Sequence, residues 1–186
     1  MRIISGKYRG RKLADIGQGD LSAHLRPTTD RVRENLFNLL AHGDYPDIKG
    51  ARVLDLFAGT GALGLEALSR GAAHVQFVDD GTKATSILRE NIEILGVKSQ
   101  TKVYRRNAVK LGENRDEPFN LVFLDPPYAK GLGEKALKSC IAGGWVCPDA
   151  LLIWEESAPI TAPNGFVLHD SRRYGGTTIN ILQGQT

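Results

Sequence analysis

The sequence comprises 186 residues, of which 41% are hydrophobic and 24% are charged. This length and composition are typical of one globular domain that buries a sizeable core. The 24 lysine and arginine residues exceed the 21 aspartate and glutamate residues by three, an excess too small to indicate a nucleic-acid partner by itself. No window approaches the roughly 18 apolar residues of a membrane span, and the cysteines and histidines lack metal-ligand spacing. We therefore expect a cytoplasmic, single-domain protein without a metal site, and we expect a monomer.

Basic residues are concentrated at the start of the chain. Before Ala14 there is no acidic residue, while five basic residues surround Tyr8: Arg2, Lys7, Arg9, Arg11 and Lys12. A second basic group follows at Arg26, Arg31 and Arg33. Such groups form either a solvated charged face or a surface for phosphate groups. Motifs further along the chain favour the second interpretation, so we expect residues 1–25 to form a phosphate-contacting arm that stays outside the core of a domain spanning residues 1–186.

The stretch TTDRVRENLFNLL predicts the first helix. Its apolar residues recur at helical spacing and share one face: Val32, Leu36, Phe37 and Leu40. Residues suited to capping stand at its start: Thr28, Thr29 and Asp30. We expect this helix to pack its apolar face on the core.

Short apolar strands alternate with helices through the middle of the chain. The strand-like stretches are RVLDLF, HVQFVD, KVYR, NLVFLD and LLIWE. Apolar strands that lack polar alternation and are separated by helices indicate a parallel sheet covered on both faces. The sequence therefore predicts an α/β fold with a doubly wound sheet.

The last part of the chain departs from this alternation. The stretch VLHDSRRYGGTTINIL contains two strand-like segments joined by Gly175 and Gly176. Segments linked by so tight a turn must run antiparallel, so the sheet is expected to end in a hairpin. A dehydrogenase-type Rossmann sheet does not end in this way.

The loop after the first strand has the spacing of a nucleotide-binding loop. Gly59, Gly61 and Gly64 form a G-x-G-x-x-G pattern, in which a helix N-terminus holds the pyrophosphate of a dinucleotide. Asp55 precedes these glycines, and its carboxylate would repel a pyrophosphate. S-adenosylmethionine has no phosphate, and its ammonium group would be attracted to Asp55 directly or through water. The loop therefore favours S-adenosylmethionine over NAD, unless Asp55 only caps the loop.

Two further polar positions follow strands at the same edge of the predicted sheet. Asp79 ends the second strand, twenty residues after Gly59, where a nucleoside-binding sheet places an acid that accepts from ribose hydroxyls. NAD sites and S-adenosylmethionine sites share this feature, so it does not distinguish them. Asn107, with Ala108, follows the third strand, and its side chain could meet the edge of an adenine.

The sequence DPPY follows the fourth strand, from Asp125 to Tyr128. At the carboxyl end of a parallel strand, these residues face the crevice in which open α/β sheets bind ligands. An exocyclic amine of a nucleobase is a weak nucleophile, because its lone pair is delocalised into the ring. The Asp125 carboxylate and the Pro126 carbonyl could accept its two N–H groups, while the proline pair, completed by Pro127, stiffens the backbone. Tyr128 would stack on the extruded base. The alternative is a strand end whose aspartate caps a turn.

Four stretches of the chain share motifs with one known family. They are ISGKYRGRKL, LRPTTDRVRENLFNLL, DLFAGTGALGLEALSRGA and DPPY, and they span Met1 to about Leu137. Together they resemble the RsmD-type methyltransferases, which methylate a guanine N2 in 16S ribosomal RNA. The resemblance implies a Rossmann-like, seven-stranded methyltransferase sheet and S-adenosylmethionine as the methyl donor. It also implies 16S ribosomal RNA, or an assembling small ribosomal subunit, as the partner.

The family motifs fall on specific residues of this chain. Its catalytic motif matches Asp125, Pro126, Pro127 and Tyr128. Its cofactor motifs match Asp55, Phe57, Gly59, Gly61, Asp79 and Asn107, to which we add Ala108. For RNA we expect contacts from Lys7, Arg9, Arg11, Lys12, Arg26 and Arg31. The family often has a second acidic residue two positions after the ribose acid, where this chain has Gly81, so Asp80 is an alternative ribose ligand.

Three other functions fit parts of the sequence. An Asp-Pro-Pro-Tyr motif serves an adenine amine equally well, as in a DNA adenine-N6 methyltransferase, but 186 residues leave no room for a separate recognition domain. A non-catalytic RNA-binding assembly factor could have the same fold, although the intact DPPY motif argues against it. An NAD oxidoreductase is supported only by the glycines.

Overall fold

The computed structural model describes residues 1–15, 29–127 and 131–185. In chain order, its helices and strands are α1 (Asp30–His42), β1 (Arg52–Leu56), α2 (Ala62–Ser69), β2 (His74–Asp79), α3 (Thr82–Leu95), β3 (Thr101–Arg105), β4 (Phe119–Leu124), α4 (Leu132–Ala142), β5 (Val146–Glu156), β6 (Phe166–Tyr174) and β7 (Thr177–Gly184). Thr29 caps α1, because its hydroxyl accepts a hydrogen bond from the Val32 N–H at 3.3 Å. The cap candidate Thr28 lies outside the described residues.

Seven strands in the described part of the chain form one sheet, in the order β3-β2-β1-β4-β5-β7-β6. Strands β1 to β5 pair in parallel, whereas β7 runs antiparallel to both β5 and β6. The β6–β7 hairpin turns at Gly175 and Gly176, and Gly175 has a φ of +64° that strains most other residues. The prediction of a doubly wound, mostly parallel sheet that ends in an antiparallel hairpin is confirmed.

Apolar side chains cover both faces of the sheet. On one face, α1, α2 and α3 pack on the strands through a cluster that includes Phe37, Leu88 and Phe123. On the other face, α4 packs on a second cluster that includes Leu137 and Trp154. Burial on both sides explains why the central strands are continuous apolar runs in the sequence.

Residues 1–13 form a hairpin that is part of the fold. The Ile3 N–H donates to the Arg11 carbonyl at 3.0 Å, and Arg2 pairs with Lys12 in an antiparallel bridge. The side chains of Ile3 and Leu13 are buried in the core. The expectation that the arm stays outside the core is therefore wrong for Ile3 and Leu13, whose buried side chains stand on either side of the basic stretch from Lys7 to Lys12.

The hairpin is fastened to α2 through one buried carboxylate. Glu66 Oε2 accepts from the Ile4 N–H at 2.8 Å, and Oε1 accepts from the Ser5 N–H at 3.0 Å. Glu66 is fully buried, and the Arg70 guanidinium pairs with it at 2.8 Å. A buried charge is tolerated only when it is paired and hydrogen-bonded, and Glu66 meets both conditions. The hairpin is thereby fixed on the helix that follows the glycine loop.

Candidate active site

Three strand ends meet at one edge of the sheet. The register aligns Leu56 at the end of β1 with Val78 of β2 and Leu124 of β4. The glycine loop after β1, Asp79 at the end of β2 and Asp125 after β4 therefore lie side by side. This edge brings together the segments that the sequence predicts for cofactor binding and for catalysis.

Two backbone N–H groups of the glycine pattern donate hydrogen bonds to carboxylates. The Gly59 N–H donates to Asp79 Oδ2 at 2.8 Å. The Gly64 N–H donates to Asp55 Oδ2 at 2.9 Å. A pyrophosphate-binding loop needs free N–H groups of this kind for its ligand. Carboxylates occupy two of these N–H groups here, and the Gly61 N–H donates to the Ala58 carbonyl at 2.8 Å.

The chain turns sharply between β1 and α2. Phe57 has a φ of +59°, the one positive value at a non-glycine residue in the described ranges. Backbone strain of this kind is concentrated at ligand sites, where the surrounding structure holds it in place. A Cβ atom at Gly61 would lie 2.4 Å from Leu88 Cδ1, so the loop is pressed against α3. Close packing on α3 therefore fixes the loop at the sheet edge.

Asp55 is a buried acid with an altered ionisation equilibrium. Its side chain is 2% exposed. Burial raises the pKa of Asp55 to about 7, the Gly64 hydrogen bond opposes this rise, and the charge of Asp79 adds to it. The Gly64 N–H lies in the first turn of α2, so the structure shows the capping contact that the sequence analysis left open. Contact of Asp55 with a cofactor ammonium stays a prediction.

The raised pKa of Asp55 predicts a pH-dependent stability. Between about pH 4 and pH 7 the folded protein retains a proton that the unfolded chain releases, so the free energy of unfolding falls as pH rises through this window. The asparagine of the Asp55→Asn variant cannot ionise but keeps an oxygen for the Gly64 N–H. We expect Asp55→Asn to raise the free energy of unfolding at pH 8 by on the order of 1 to 4 kcal/mol, and by less at pH 5.

Urea unfolding of both proteins at pH 5 and pH 8, without cofactor, measures this effect. Asp44→Asn is the control, because it removes a carboxylate that is exposed. An equal change for Asp55→Asn at both pH values would contradict the assignment of the raised pKa to Asp55.

Asp79 connects two loops of the site. Its Oδ2 accepts from the Gly59 N–H and its Oδ1 accepts from the Gly81 N–H, both at 2.8 Å. Burial raises the pKa of Asp79, while these two hydrogen bonds lower it. Each carboxylate oxygen can accept a second hydrogen bond, so ribose hydroxyls remain acceptable partners. The alternative ligand, Asp80, is exposed.

Asn107 follows β3 and is exposed at its carboxyl end. Its Oδ1 accepts from the Val109 N–H at 3.0 Å, so the side chain caps the short 3-10 helix Ala108–Lys110. Ala108 is buried in the cluster beneath α4. The cap uses the side-chain oxygen of Asn107, so a contact with adenine would use its amide nitrogen as donor.

The segment after β4 is tied to the end of β1. The Asp125 N–H donates to the Leu56 carbonyl at 3.4 Å. Pro126 is buried and Pro127 is partly buried. Tyr128 lies outside the described residues. The structure thus brings three of the four predicted catalytic residues next to the glycine loop.

The basic side chains of the N-terminal hairpin point away from the core. All five are exposed: Arg2, Lys7, Arg9, Arg11 and Lys12. Arg2 pairs with Asp30 at 3.0 Å. Lys7 Nζ lies 5.2 Å from the centre of the Tyr8 ring, a cation–π distance. Arg31, in the first turn of α1, is also exposed, whereas Arg26 lies outside the described residues. The hairpin therefore holds a group of positive charges on a fixed backbone.

Sequence reasoning missed the residue that joins the hairpin to the glycine loop. Asn91 of α3 accepts from the Ala14 N–H at 2.7 Å and donates to the Thr60 carbonyl at 3.1 Å. It also missed Glu66, which holds the hairpin on α2. Both side chains are fully buried on their helices. The signal that could have found them is a polar residue at an apolar position of a predicted helix.

No helix in the described ranges is long and apolar enough to cross a membrane. In the same ranges, His, Cys, Asp and Glu side chains form no group of three that could hold a metal ion. Cys140 and Cys147 are free thiols, and burial raises the pKa of Cys140 to about 12.

Comparison with known proteins shows the family to which the chain belongs. A family model described as conserved hypothetical protein 95 matches residues 1–183. The chain belongs to this family. The family member is 39% identical to ribosomal RNA small subunit methyltransferase D of Escherichia coli K12, over 98% of this chain and 89% of that protein. It is 44% identical to YlbH of Bacillus subtilis, named as a candidate rRNA methyltransferase, over 98% of each chain.

A solved structure supports the same family. The structure of yhhF, a methyltransferase candidate from Escherichia coli, has a TM-score of 0.83 with this family member. The two chains are 39% identical, and the match covers 100% of this chain and 98% of the other. The resemblance to the RsmD-type methyltransferases and the methyltransferase sheet that it implied are confirmed. The family member is a methyltransferase.

Proposed function

We propose that this methyltransferase transfers a methyl group from S-adenosylmethionine to the exocyclic N2 amine of a guanine in 16S ribosomal RNA. One observation carries the proposal: Asp125, Pro126 and Pro127 lie beside the glycine loop, with the Asp125 N–H on the Leu56 carbonyl. Relatives named as small-subunit rRNA methyltransferases support RNA as the substrate. In this proposal residues 1–186 are one domain, in which residues 1–25 form the RNA-binding arm.

The glycine loop fits S-adenosylmethionine better than it fits a dinucleotide. Asp55 and Asp79 accept the N–H groups of Gly64 and Gly59, so the loop presents negative charge. When bound, S-adenosylmethionine supplies an electrophilic methyl group on a positively charged sulfur, and its ammonium adds a second positive charge. Asp79 then accepts from the ribose hydroxyls, and Asp55 attracts the ammonium through water. The remaining contacts in this proposal are Phe57, Gly61, Asn107 and Ala108.

Asp125 and Pro126 position the target amine. The Asp125 carboxylate accepts one N–H of the amine, and the Pro126 carbonyl accepts the other. These two hydrogen bonds favour a pyramidal nitrogen, whose lone pair then points at the methyl carbon. Positioning dominates the rate enhancement, because the amine needs orientation more than it needs a strong base. After transfer the nitrogen carries a positive charge and readily loses a proton to Asp125 or to solvent.

Replacing Asp79 tests the cofactor half of the site. Asp79→Ala is expected to weaken S-adenosylmethionine binding by about 1 to 3 kcal/mol, because it removes a charged acceptor of the ribose hydroxyls. Isothermal titration calorimetry measures the loss, with NADH as the control ligand for the wild-type protein. Tight NADH binding would contradict the assignment of the loop. An unchanged dissociation constant for the variant would transfer the ribose contact to Asp80.

Tyr128 is proposed to act through the face of its ring. Tyr128→Phe is expected to retain most turnover, because the stacking face remains, whereas Tyr128→Ala is expected to lose about 1 to 3 kcal/mol of stacking. Steady-state methylation assays with the same RNA compare the two variants. Equal losses for both would show that the hydroxyl is required and that stacking does not explain the residue.

The proposed reaction is tested by mapping methylated nucleosides in small-subunit RNA. RNA from cells with and without the protein is digested and analysed by mass spectrometry. We expect one N2-methylguanosine to disappear without the protein, and purified protein with S-adenosylmethionine to restore it. Loss of N6-methyladenine from DNA instead would support the adenine alternative. Unchanged nucleosides in both would contradict a role in methylation of either nucleic acid and leave binding or assembly as the function.

A further inference from the structure

A groove lies on the face of the sheet that α4 covers, at the carboxyl end of β5. It encloses about 750 Å³ between α4 and the connection from β5 to β6, a volume in the range of sites for small molecules. Gly131, the first described residue after the DPPY motif, lines one part of it. Glu156 and Ser157, at the carboxyl end of β5, line another. The groove therefore lies between the chain that follows the DPPY motif and the carboxyl end of β5.

The register of the sheet places Glu156 next to the DPPY motif. Leu124, the last residue of β4, is level with Trp154 of β5. Asp125 and Pro126 follow this pair on one strand, and Glu155 and Glu156 follow it on the other. Neighbouring strands lie about 4.8 Å apart. Glu156 is two residues after Trp154, so both side chains lie on the α4 face of the sheet. Its carboxylate is thus on the strand beside the motif and on the side where the groove lies.

The carboxylate of Glu156 is oriented and has an oxygen available. Its Oε1 accepts from the Ser157 N–H at 2.8 Å and from the Ser157 hydroxyl at 3.0 Å. Within the described ranges, Oε2 accepts no hydrogen bond and no cation pairs with the side chain. Glu156 is partly buried and lines the groove. Its second oxygen is therefore an acceptor at the groove, oriented by the two hydrogen bonds of the first.

Two polar groups near Glu156 have no hydrogen-bond partner in the described structure. Trp154 Nε1, on the same strand and face, is buried without a hydrogen bond. The hydroxyl of Thr178 is likewise buried and unpaired, and Thr178 is the residue of β7 that pairs with Glu156. Buried polar atoms in folded proteins are nearly always hydrogen-bonded, so unpaired ones mark unusual positions. Two unpaired buried polar atoms therefore lie close to Glu156 in the sheet.

We propose that Glu156 accepts the N1–H of the target guanine and selects guanine over adenine. This proposal rests on the proposed function, because it requires the guanine N2 amine to lie at Asp125 and Pro126. In guanine the N1–H is the donor next to the N2 amine, so a second acceptor on the next strand matches it. In adenine the atom next to the amine is the N1 lone pair, which a carboxylate repels. The acceptors at Asp125 and Glu156 together match the adjacent donors of guanine.

The analogue 2-aminopurine isolates this contact. It carries the same 2-amino group as guanine, but its N1 is an acceptor and has no hydrogen. The probes are two oligoribonucleotides that span the mapped methylation site, one with guanine and one with 2-aminopurine at the target position. Both are assayed with wild-type protein and with Glu156→Gln. The glutamine keeps an oxygen for Ser157 and places an N–H donor where Oε2 was, so it opposes guanine N1–H and matches the 2-aminopurine N1.

We expect the wild-type protein to prefer guanine, and Glu156→Gln to reduce this preference in kcat/KM by about 10- to 100-fold. The comparison is a ratio of ratios, so other differences between the two bases cancel. Glu134→Gln is the matched control, since it removes a carboxylate from the same groove on α4. It is expected to leave the preference unchanged.

Two further measurements separate the outcomes. The dissociation constant for S-adenosylmethionine and the midpoint of thermal unfolding are expected to be the same for Glu156→Gln and wild type. An unchanged preference in Glu156→Gln, with active wild-type protein, would overturn the assignment of Glu156 and leave the proposed function in place. A wild-type protein that methylates neither these RNAs nor small ribosomal subunits from cells without the protein would overturn the proposed function itself.

Discussion

Asp125→Ala is expected to lower the rate of methyl transfer by about 100- to 1,000-fold, the cost of removing one oriented hydrogen-bond partner from a reacting group. The affinity for S-adenosylmethionine is expected to change little, because the proposed partner of Asp125 is the target amine. The backbone of the segment should persist, since the Asp125 N–H on the Leu56 carbonyl does not depend on the side chain. Single-turnover transfer of a labelled methyl group measures the rate, and calorimetry measures the affinity.

Asp125→Asn is the matched variant for this experiment. Asparagine keeps one acceptor oxygen of similar position, so it is expected to retain more activity than alanine. If Asp125→Ala loses cofactor affinity in proportion to its turnover, Asp125 acts on the cofactor or on the local fold. If asparagine is as inactive as alanine, the carboxylate charge is required, and hydrogen-bond acceptance alone does not explain the residue.

The central sheet could be predicted because its strands carry the pattern that two-sided burial imposes. In β4, both Val122 and Phe123 are buried although they face opposite sides, which gives an uninterrupted apolar run. The start of β5 was not predicted, because Cys147, Pro148 and Asp149 are not an apolar run. The pairing of β4 with β5 is irregular in this part, with a register shift between Phe119 and Leu121. Tertiary pairing, and not local pattern, extends β5 to Val146.

The location of the site could also be predicted, because the carboxyl ends of parallel strands converge. The sequence did not show which N–H groups of the loop donate to the carboxylates of Asp55 and Asp79. Asp55 meets Gly64 nine residues further along, and Asp79 meets Gly59 from the neighbouring strand. These hydrogen bonds depend on the twist of the sheet and the path of the turn at Phe57, which spacing alone does not specify. The G-x-G-x-x-G spacing alone therefore does not predict which ligand the loop binds.

In the N-terminal segment, the amino-acid composition predicted which side chains are exposed but did not predict how the backbone packs on the domain. Its basic residues predicted an exposed charged surface, and all five basic side chains before Ala14 are exposed: Arg2, Lys7, Arg9, Arg11 and Lys12. Its backbone is nevertheless held by Glu66, about sixty residues away in sequence. No local pattern links Ile4 to that helix. The buried position of Ile3 follows only once α2 is in place.

A fixed hairpin changes what is expected of the basic surface. Because its backbone is already ordered, binding RNA does not require the segment to fold, and less conformational entropy is lost on association. The variant in which Lys7, Arg9, Arg11 and Lys12 are all replaced by glutamine should keep its fold, since the contacts to α2 are made by backbone groups. It should bind S-adenosylmethionine normally and bind ribosomal RNA more weakly.

The loss should depend on salt, because each phosphate contact releases counterions and contributes roughly 0.7 to 0.9 to the slope of log affinity against log salt concentration. Loss of about three contacts would flatten that slope by roughly 2 to 3. The control replaces four exposed basic residues that lie outside the hairpin: Lys49, Lys98, Lys102 and Arg115. It changes the net charge equally and is expected to leave the slope close to that of wild type. Equal slopes for the hairpin variant and wild type would show that the hairpin is a solvated face that RNA does not contact. Equal flattening of the slope in the hairpin variant and in the control would show that net charge, and not a specific surface, attracts the RNA.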